Sequence, residues 1–283
     1  KVISEVSIEQ APLIFPFGSQ VGILALPQLA PDINWKIIQV DVMATTLQVE
    51  KDLPDYSFVT QVLQGVRGYY VLGLNLREEP VVSYFDDQFN VRAERVDESF
   101  APGIFTGAFV LGDDIVALIS SSNGSTLIRL TEGLKTISTT ALDGLGANGV
   151  ALQDGGYALT YVTVPDMMVI LERFDAGHNR RWRVPLYKMS AEGVSSGVKL
   201  AELQNGIAFA GFNNNQLLIG RVSIDGKDMR LESVSEESLV FNPTSSNFFL
   251  FEDEESVHVW GLGMNSKTYV GSIFRADYLL RDE

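Results

Sequence analysis

The chain of 283 residues contains no cysteine. That absence excludes disulfides, thiolate metal sites and cysteine nucleophiles together. Histidine is nearly as scarce, with only His178 and His258 present, so a zinc site of three or four nitrogen and sulfur ligands is nearly excluded. There is no Asp-x-Asp-x-Asp-Gly calcium loop either, and neither a metal nor a cofactor is expected. No apolar run reaches the roughly 18 residues that a membrane-spanning helix needs; the longest, such as Gly206–Phe212, have the length of a strand. Membrane insertion is therefore not expected. Positive charge is the minority sign, with 21 Lys and Arg against 36 Asp and Glu and a formal net charge of −15. The averaged field repels phosphate backbones and anionic headgroups, which removes nucleic acid from the expected partners. Helix signals are missing too: no stretch of about ten residues keeps i, i+3, i+4 apolar spacing without an internal Gly, Pro or β-branched cluster.

What is present is a phrase that returns about every 45 residues. It reads as a short strand, a Gly with an aromatic, a longer strand, an Asp/Gly turn and another short strand. The clearest copy runs from Val150 through Gly155-Gly156-Tyr157, then from Met167 through Phe174-Asp175-Ala176-Gly177 to Trp182. The position just before the second strand falls at Gly22, Gly68, Asp113, Gly156, Gly206 and Asn247; the turn after the third strand falls near Asp41, Asp86, Thr131, Asp175, Asp225 and Met264. The two series drift together, as real repeats do. β-Branched and aromatic runs bounded by Gly, Asn and Asp read as strands, and Asp154-Gly155, Asn205-Gly206 and Asp225-Gly226 favour tight hairpins.

The expected fold class is all-β, a β-propeller of six four-stranded blades at 11–54, 55–98, 99–143, 144–189, 190–235 and 236–283, forming a single domain over 1–283. Residues 1–10 contain the period-2 pattern Lys1–Ile8 and are expected to pair with the last blade, because closing the ring removes open strand edges. Tyr70, Tyr157, Phe209 and Phe249 are expected near the packing between blades, and Trp182 over a blade edge.

Gly155-Gly156-Tyr157 with Phe174-Asp175-Ala176-Gly177 and Trp182, and next Gly68-Tyr69-Tyr70 with Phe85-Asp86-Asp87, carry a resemblance. The chain resembles bacterial β-propeller repeats in which a Gly-Gly-Tyr-like start, a Phe-Asp-x-x-Gly turn and a following Trp recur. The likeness is one of architecture over the whole chain, and it brings no family activity with it. It implies a protein that is exported or surface associated and that binds partners or ligands without chemistry. The start at Lys1 adds the expectation of a segment removed upstream, and with the acidic, cysteine-free composition it favours an extracytoplasmic location, periplasmic or secreted.

Several motifs imitate chemistry. Gly144-Leu-Gly146-Ala-Asn-Gly149 matches a dinucleotide fingerprint, but the residues after it are too few and too Gly-rich for the helix that the pyrophosphate needs. Gly193-Val-Ser195-Ser-Gly197 matches a nucleophile elbow, with Asp225 or Asp228 and then His258 in hydrolase order. The repeat supplies no parallel sheet for such an elbow, and alternation makes His258 a strand side chain. Asn123-Gly-Ser125 is a glycosylation sequon, of a kind that occurs often by chance. Arg180-Arg181-Trp182-Arg183 could contact phosphates or bases, and in this acidic chain reads better as packing with solvated charge.

In a propeller the loops between second and third strands share one face with the loops between blades. Here those loops hold Asp32, Glu78, Glu79, Asn123, Asp166, Asn213, Asn214, Asn215, Asp253, Glu254 and Glu255. Loops are polar because they face water, yet carboxylates converging on a concave mouth would also focus negative potential, and carboxamides would offer paired donors and acceptors to sugar hydroxyls. The expected binding residues are Asp166, Asn213, Asn214, Asn215, Asp253, Glu254 and Glu255. The expected function is a non-catalytic binding or scaffold propeller that presents one face to a protein or carbohydrate partner. The alternative is a carboxylate-based glycoside hydrolase or lyase with two acids across the channel mouth.

Overall fold

β-Branched and aromatic runs between Gly and Asp turns form strands throughout the described part of the computed structural model. The described residues are 13–17, 20–25, 35–41, 46–53, 56–122, 124–189, 198–213, 216–234, 239–241, 248–252, 256–265 and 271–279; for 13–53, 239–249, 251–252, 260–275 and 279 only the backbone path is described. The first sheet comprises β1 (Leu13–Phe17), β2 (Gln20–Ala25), β3 (Trp35–Asp41) and β4 (Thr46–Leu53). The second comprises β5 (Tyr56–Gln64), β6 (Gly68–Asn75), β7 (Pro80–Asp86) and β8 (Val91–Val96). The third comprises β9 (Gly103–Leu111), β10 (Asp114–Ser121), β11 (Gly124–Leu130) and β12 (Thr136–Leu142). The fourth comprises β13 (Leu145–Ala151), β14 (Tyr157–Val162), β15 (Met168–Phe174) and β16 (Arg180–Lys188), and the fifth β17 (Lys199–Leu203), β18 (Gly206–Asn213), β19 (Gln216–Ser223) and β20 (Met229–Val234). Each of these five is a meander of consecutive strands.

The sixth sheet, of β21 (Leu239–Phe241), β22 (Phe248–Glu252), β23 (Ser256–Asn265) and β24 (Gly271–Leu279), departs from that plan. The long β23 carries β24 along one edge, while β22 and then β21 share its other edge. Met264, expected in a turn, consequently lies within β23. The expected closing strand at 1–10 and the marker Asn247 lie outside the described residues.

In the second to fifth sheets, whose side chains are described, the middle strands are largely buried on both faces, which is why they read as nearly continuous apolar runs. Alternate side chains of β18 serve two different cores. Ile207 and Phe209 pack with Leu171 and Leu186 of the fourth sheet, whereas Ala208, Ala210 and Phe212 pack with Val257 and Val259 of the sixth. In the same way Tyr69 and Val71 of β6 join Tyr56, Val59 and Phe85, while Tyr70 and Leu72 join Ile115 and Ala117 of the third sheet. Burying each large apolar side chain contributes about 1.5–3 kcal/mol. The outer strands β8, β12 and β20 are largely exposed. Charges such as Arg92, Glu94, Arg230 and Glu232 on two of them discourage pairing with another edge.

The chain forms two compact units, Lys1–Ser122 with Ile128–Thr139 and Asn123–Leu127 with Thr140–Glu283. Within the first, the Gln61 amide donates to the Ala108 carbonyl at 3.0 Å and the Tyr84 hydroxyl to Glu132 at 3.1 Å, which ties the second sheet to the third. Tyr70 stacks on Tyr84 at 4.8 Å beside that contact. Within the second unit, the Gln153 backbone N–H donates to both carboxylate oxygens of Glu202, at 2.9 and 2.8 Å. The Trp182 indole donates to the Ile224 carbonyl at 2.9 Å and its ring covers Gly226, so this outer-strand residue of the fourth sheet caps a turn of the fifth. Phe209 sits between those same two sheets, whereas Tyr157 stacks within its own sheet, on Phe174 at 4.8 Å. The side chain of Phe249 lies outside the described residues.

Both marker series have a physical cause. A Cβ on Gly68, Gly156 or Gly206 would overlap the carbonyl oxygen of Phe85, Phe174 or Val222 respectively, so in these three repeats the start of the second strand is bare backbone. In the turn after the third strand, a side-chain oxygen accepts the backbone N–H four residues on: Asp86 from Asn90 at 2.8 Å, Thr131 from Lys135 at 3.1 Å and Asp175 from Asn179 at 2.9 Å. Each such turn places a non-glycine residue in the left-handed region, Phe89 at φ 57°, Leu134 at 61° and His178 at 62°.

The hydrogen bond from the Asn90 N–H is the main reason that the Asp86 carboxyl falls to about 2, and the bond from the Lys227 side chain does the same for Asp225. Because both folded values lie below the ordinary 3.8, the stabilisation is complete above that value and is lost as pH falls through about 2. The acid limb of wild-type stability is therefore expected to be steeper than that of the Asp86→Ala/Asp225→Ala double variant, in urea melts between about pH 4 and pH 2. Parallel limbs would remove these carboxylates from the account.

Candidate functional site

The fourth sheet carries the sequence-expected loop position best. Its β14–β15 turn is fixed by backbone bonds: the Thr163 N–H donates to Met168 O at 2.9 Å, Met167 N–H to Thr163 O at 3.0 Å and Met189 N–H to Met167 O at 2.8 Å. Met167 takes the left-handed conformation, φ 53°, and the turn leaves Val164 and Asp166 exposed beside it. At the same end of the sheet lie Lys188, the last residue of β16, and Asp143, in the turn before β13. These elements enclose a cleft of about 520 Å³. Val164, Met168, Ile170 and Pro185 give it an apolar lining, and Asp143, Asp166, Arg183 and Lys188 bring charges of both signs.

Arg183 connects this cleft to a network below it. Its guanidinium carbon lies 5.9 Å from the Tyr161 ring centre, and its Nε lies 3.7 Å from Glu172 Oε1. Glu172 is buried and also holds Arg180 at 3.1 Å. Burial first, and then the Glu172 charge, push the Tyr161 hydroxyl up to about 12 against the pull of Arg183. The phenol is neutral at ordinary pH in any case, and these surroundings move its ionisation further out of range. The arrangement presents an apolar lining, the Arg183 guanidinium held beside Glu172, the exposed Lys188 and exposed carboxylates, which together suit recognition of an amphipathic chain.

Of the expected binding residues, Asp166 lines the cleft and Asn213 is anchored near it, its side-chain amide donating to the Lys188 carbonyl at 3.1 Å. Asn214, Asn215, Asp253, Glu254 and Glu255 lie outside the described residues, as do Asp32 and Asn123. In the second sheet the equivalent turn is closed by Asn75, whose Oδ1 accepts the N–H groups of Arg77 and Glu79 at 2.8 and 3.0 Å and whose Nδ2 donates to the Glu79 carboxylate at 2.7 Å.

The imitative motifs resolve structurally. The glycine-rich run from Gly144 to Gly149 lies almost wholly within strand β13, Leu145–Ala151, and opens no helix. His258 lies on β23 and pairs with its cross-strand partner Asp277 at 2.7 Å. Ser195 of the elbow pattern lies outside the described residues. Arg180 and Arg183 engage Glu172, while Arg181 lies 3.7 Å from Asp175. No group of three or more His, Asp or Glu that could hold a metal ion occurs among the described residues.

Arg183, Tyr161, Glu172, Lys188 and Asp143 were not among the expected site residues. The Arg-Arg-Trp-Arg run was the visible trace of the first. Its partners depend on strand register, which shifts between Val169 and Ile170 and again between Arg173 and Phe174.

No family model and no curated protein matches the chain. Solved structures do. The β-propeller domain of the Trilobed protease from Pyrococcus furiosus aligns over 99% of this chain and 97% of its own, at 11% identity and a TM-score of 0.51. A quinoprotein alcohol dehydrogenase-like protein from Bacteroides thetaiotaomicron aligns over 94% of this chain and 62% of its own, at 10% identity and a TM-score of 0.58. A prolyl endopeptidase aligns over 94% of this chain at 11% identity and a TM-score of 0.56, and this chain spans only 41% of its length. At such identities the similarity is one of fold alone. All-β composition, repeated four-stranded antiparallel sheets and these neighbours together make the chain a β-propeller in architecture.

Proposed function

We propose that the chain is a non-catalytic binding propeller that takes a segment of a protein partner in the cleft of its fourth sheet. The observation that carries this reading is the lining itself, in which Val164, Met168, Ile170 and Pro185 lie among Asp143, Asp166, Arg183 and Lys188. An apolar centre with a polar rim is the anatomy of protein interfaces, where burial supplies affinity and the charges supply register and selectivity. The propeller fold supports a binding or scaffold role in general, and enzyme-related proteins share it.

Selection of a random dodecapeptide library on the immobilised chain tests the reading. Enriched peptides are expected to bind the Arg183→Glu/Lys188→Glu variant at least about tenfold more weakly, the equivalent of about 1.4 kcal/mol. Peptides that bind wild type and variant alike would take the site away from this cleft. A glycan array run in parallel separates the carbohydrate reading: retention of sugars in place of peptides contradicts the protein-segment proposal.

A further inference from the structure

A small pocket in the first compact unit joins three turns, those between β5 and β6, between β9 and β10 and between β11 and β12. Its volume is about 130 Å³, and Arg67, Tyr70, Asp113 and Glu132 form its polar lining. Tyr70 is the buried member, with 2% of its surface accessible, and its hydroxyl forms no hydrogen bond among the described residues. An unpaired hydroxyl on a buried side chain is costly and marks the place of a partner. Unlike the Tyr187 hydroxyl, which is sealed in the core without a partner, that of Tyr70 opens on the pocket.

The surroundings of that hydroxyl are fixed and mainly negative. The Tyr70 ring stacks on Tyr84 at 4.8 Å and lies against the backbone of Gly65, where a Cβ would come within 2.5 Å of Tyr70 Cε2. The Gly65 N–H closes its own turn on the Gly68 carbonyl at 2.7 Å. Tyr84 donates to Glu132 Oε1 at 3.1 Å, a neutral donor that leaves Oε2 and the Glu132 charge uncompensated. Asp113, at an exposed turn position, forms no ion pair either, while Asp114 beside it is paired with Arg129 at 2.6 Å. Burial first, then Tyr84 and the charges of Glu132 and Asp114, hold the Tyr70 phenol above its ordinary range, so the carboxylate field reaches its oxygen. Arg67, exposed and without an ion pair, is the cation of the lining.

We propose that this pocket binds a primary ammonium group, whose three N–H donors are shared among Glu132 Oε2, the Tyr70 hydroxyl oxygen and Asp113. Three acceptors match three donors, and hydrogen bonds from a charged donor to a carboxylate are of the strong kind. Two carboxylates and a phenol fall well short of the roughly six to eight oxygens that calcium takes. Val66 and Val110, in the same lining, offer apolar surface to the first carbons behind the ammonium. The shared chemistry has two sources, a small free amine and a lysine side chain carried on a peptide.

The chain, with isotope-labelled tyrosine rings, is titrated at constant ionic strength with n-butylammonium chloride, with an N-acetylated hexapeptide carrying a single lysine, and with tetramethylammonium chloride. The Tyr70 and Tyr84 ring signals are followed by NMR, that of Tyr70 being identified by its loss in Tyr70→Phe. At least one of the two primary amines is expected to shift both signals saturably. Tetramethylammonium, which has the charge and no N–H, is expected to bind at least about tenfold more weakly. Glu132→Gln keeps the bond from Tyr84 and loses the charge; Tyr70→Phe keeps the stack and loses the hydroxyl. Each is expected to weaken binding about tenfold, read at Tyr84. Arg67→Gln is expected to strengthen it about twofold by removing a like charge, and Asp228→Asn, at an exposed position in the other unit, to leave it unchanged. Binding of n-butylammonium without the peptide assigns a small amine; binding of the peptide assigns a lysine carried on a chain. Either supports the site. Absence of saturable shifts with both amines, equal binding of tetramethylammonium, or undiminished affinity in the Tyr70→Phe/Glu132→Gln double variant overturns it. Should that double variant fail to fold, Asp113→Asn, at an exposed position, carries the test, and undiminished affinity there overturns the proposal.

Discussion

Replacing Phe209 by alanine is expected to lower stability by about 3–5 kcal/mol, a large part of what holds a typical domain together. Phe209 has no accessible surface and lies between the fourth and fifth sheets with Leu171, Leu186, Ile207 and Leu218. Its ring is also fitted to bare backbone, because a Cβ on Gly220 would come within 2.5 Å of Phe209 Cζ. Truncation therefore loses the transfer energy of the ring and leaves a void that rigid sheets on either side close poorly. At about 2–4 °C per kcal/mol for a unit of this size, the thermal midpoint should fall by roughly 10 °C. Val164→Ala, at an exposed turn position, should change stability by less than about 0.5 kcal/mol. Equal effects from the two substitutions would mean that β18 is not packed between sheets.

The repeat was legible because its markers are forced by backbone geometry. Gly68, Gly156 and Gly206 stand where a cross-strand carbonyl admits no Cβ, and Asp86, Thr131 and Asp175 stand where a side-chain oxygen must close a turn. Such constraints act on single positions and so survive wide changes elsewhere. The partition of β18 was not legible, since Ile207-Ala208-Phe209-Ala210 is a plain apolar run until two neighbouring sheets claim alternate residues. Nor was the sixth sheet, where β21 and β22 share one edge of β23 and the turn marker at Met264 falls inside a strand.

The candidate cleft was legible only in part, for the same kind of reason. Of its charged lining residues only Asp166 follows from loop position alone, which the repeat fixes. Arg183 and Lys188 come instead from β16, whose pairing with β15 is displaced twice by irregularities in register. A shift of one residue moves a side chain to the other face, so no pattern in the Arg180–Arg183 run could say that Glu172 lies beneath it. The left-handed residues are hidden in another way: Phe89, Leu134 and His178 have no letter in common.

The account rests on repeated four-stranded sheets whose middle strands are buried on both faces and whose outer strands and turns meet solvent. Amide hydrogen exchange, read residue by residue, tests it most directly, because exchange of a doubly covered strand requires opening of the unit, whereas an outer strand frays locally. Tyr70–Leu72, Val116–Leu118, Ala158–Thr160 and Ala208–Ala210 are buried middle-strand segments, and 92–95, 136–139 and 230–233 lie on the exposed outer strands. The first set is expected to exchange about a thousandfold more slowly than the second, with slow and fast segments alternating once per repeat. Uniform protection across the repeats, or outer strands as slow as the middle ones, would contradict the architecture and the binding sites placed on it.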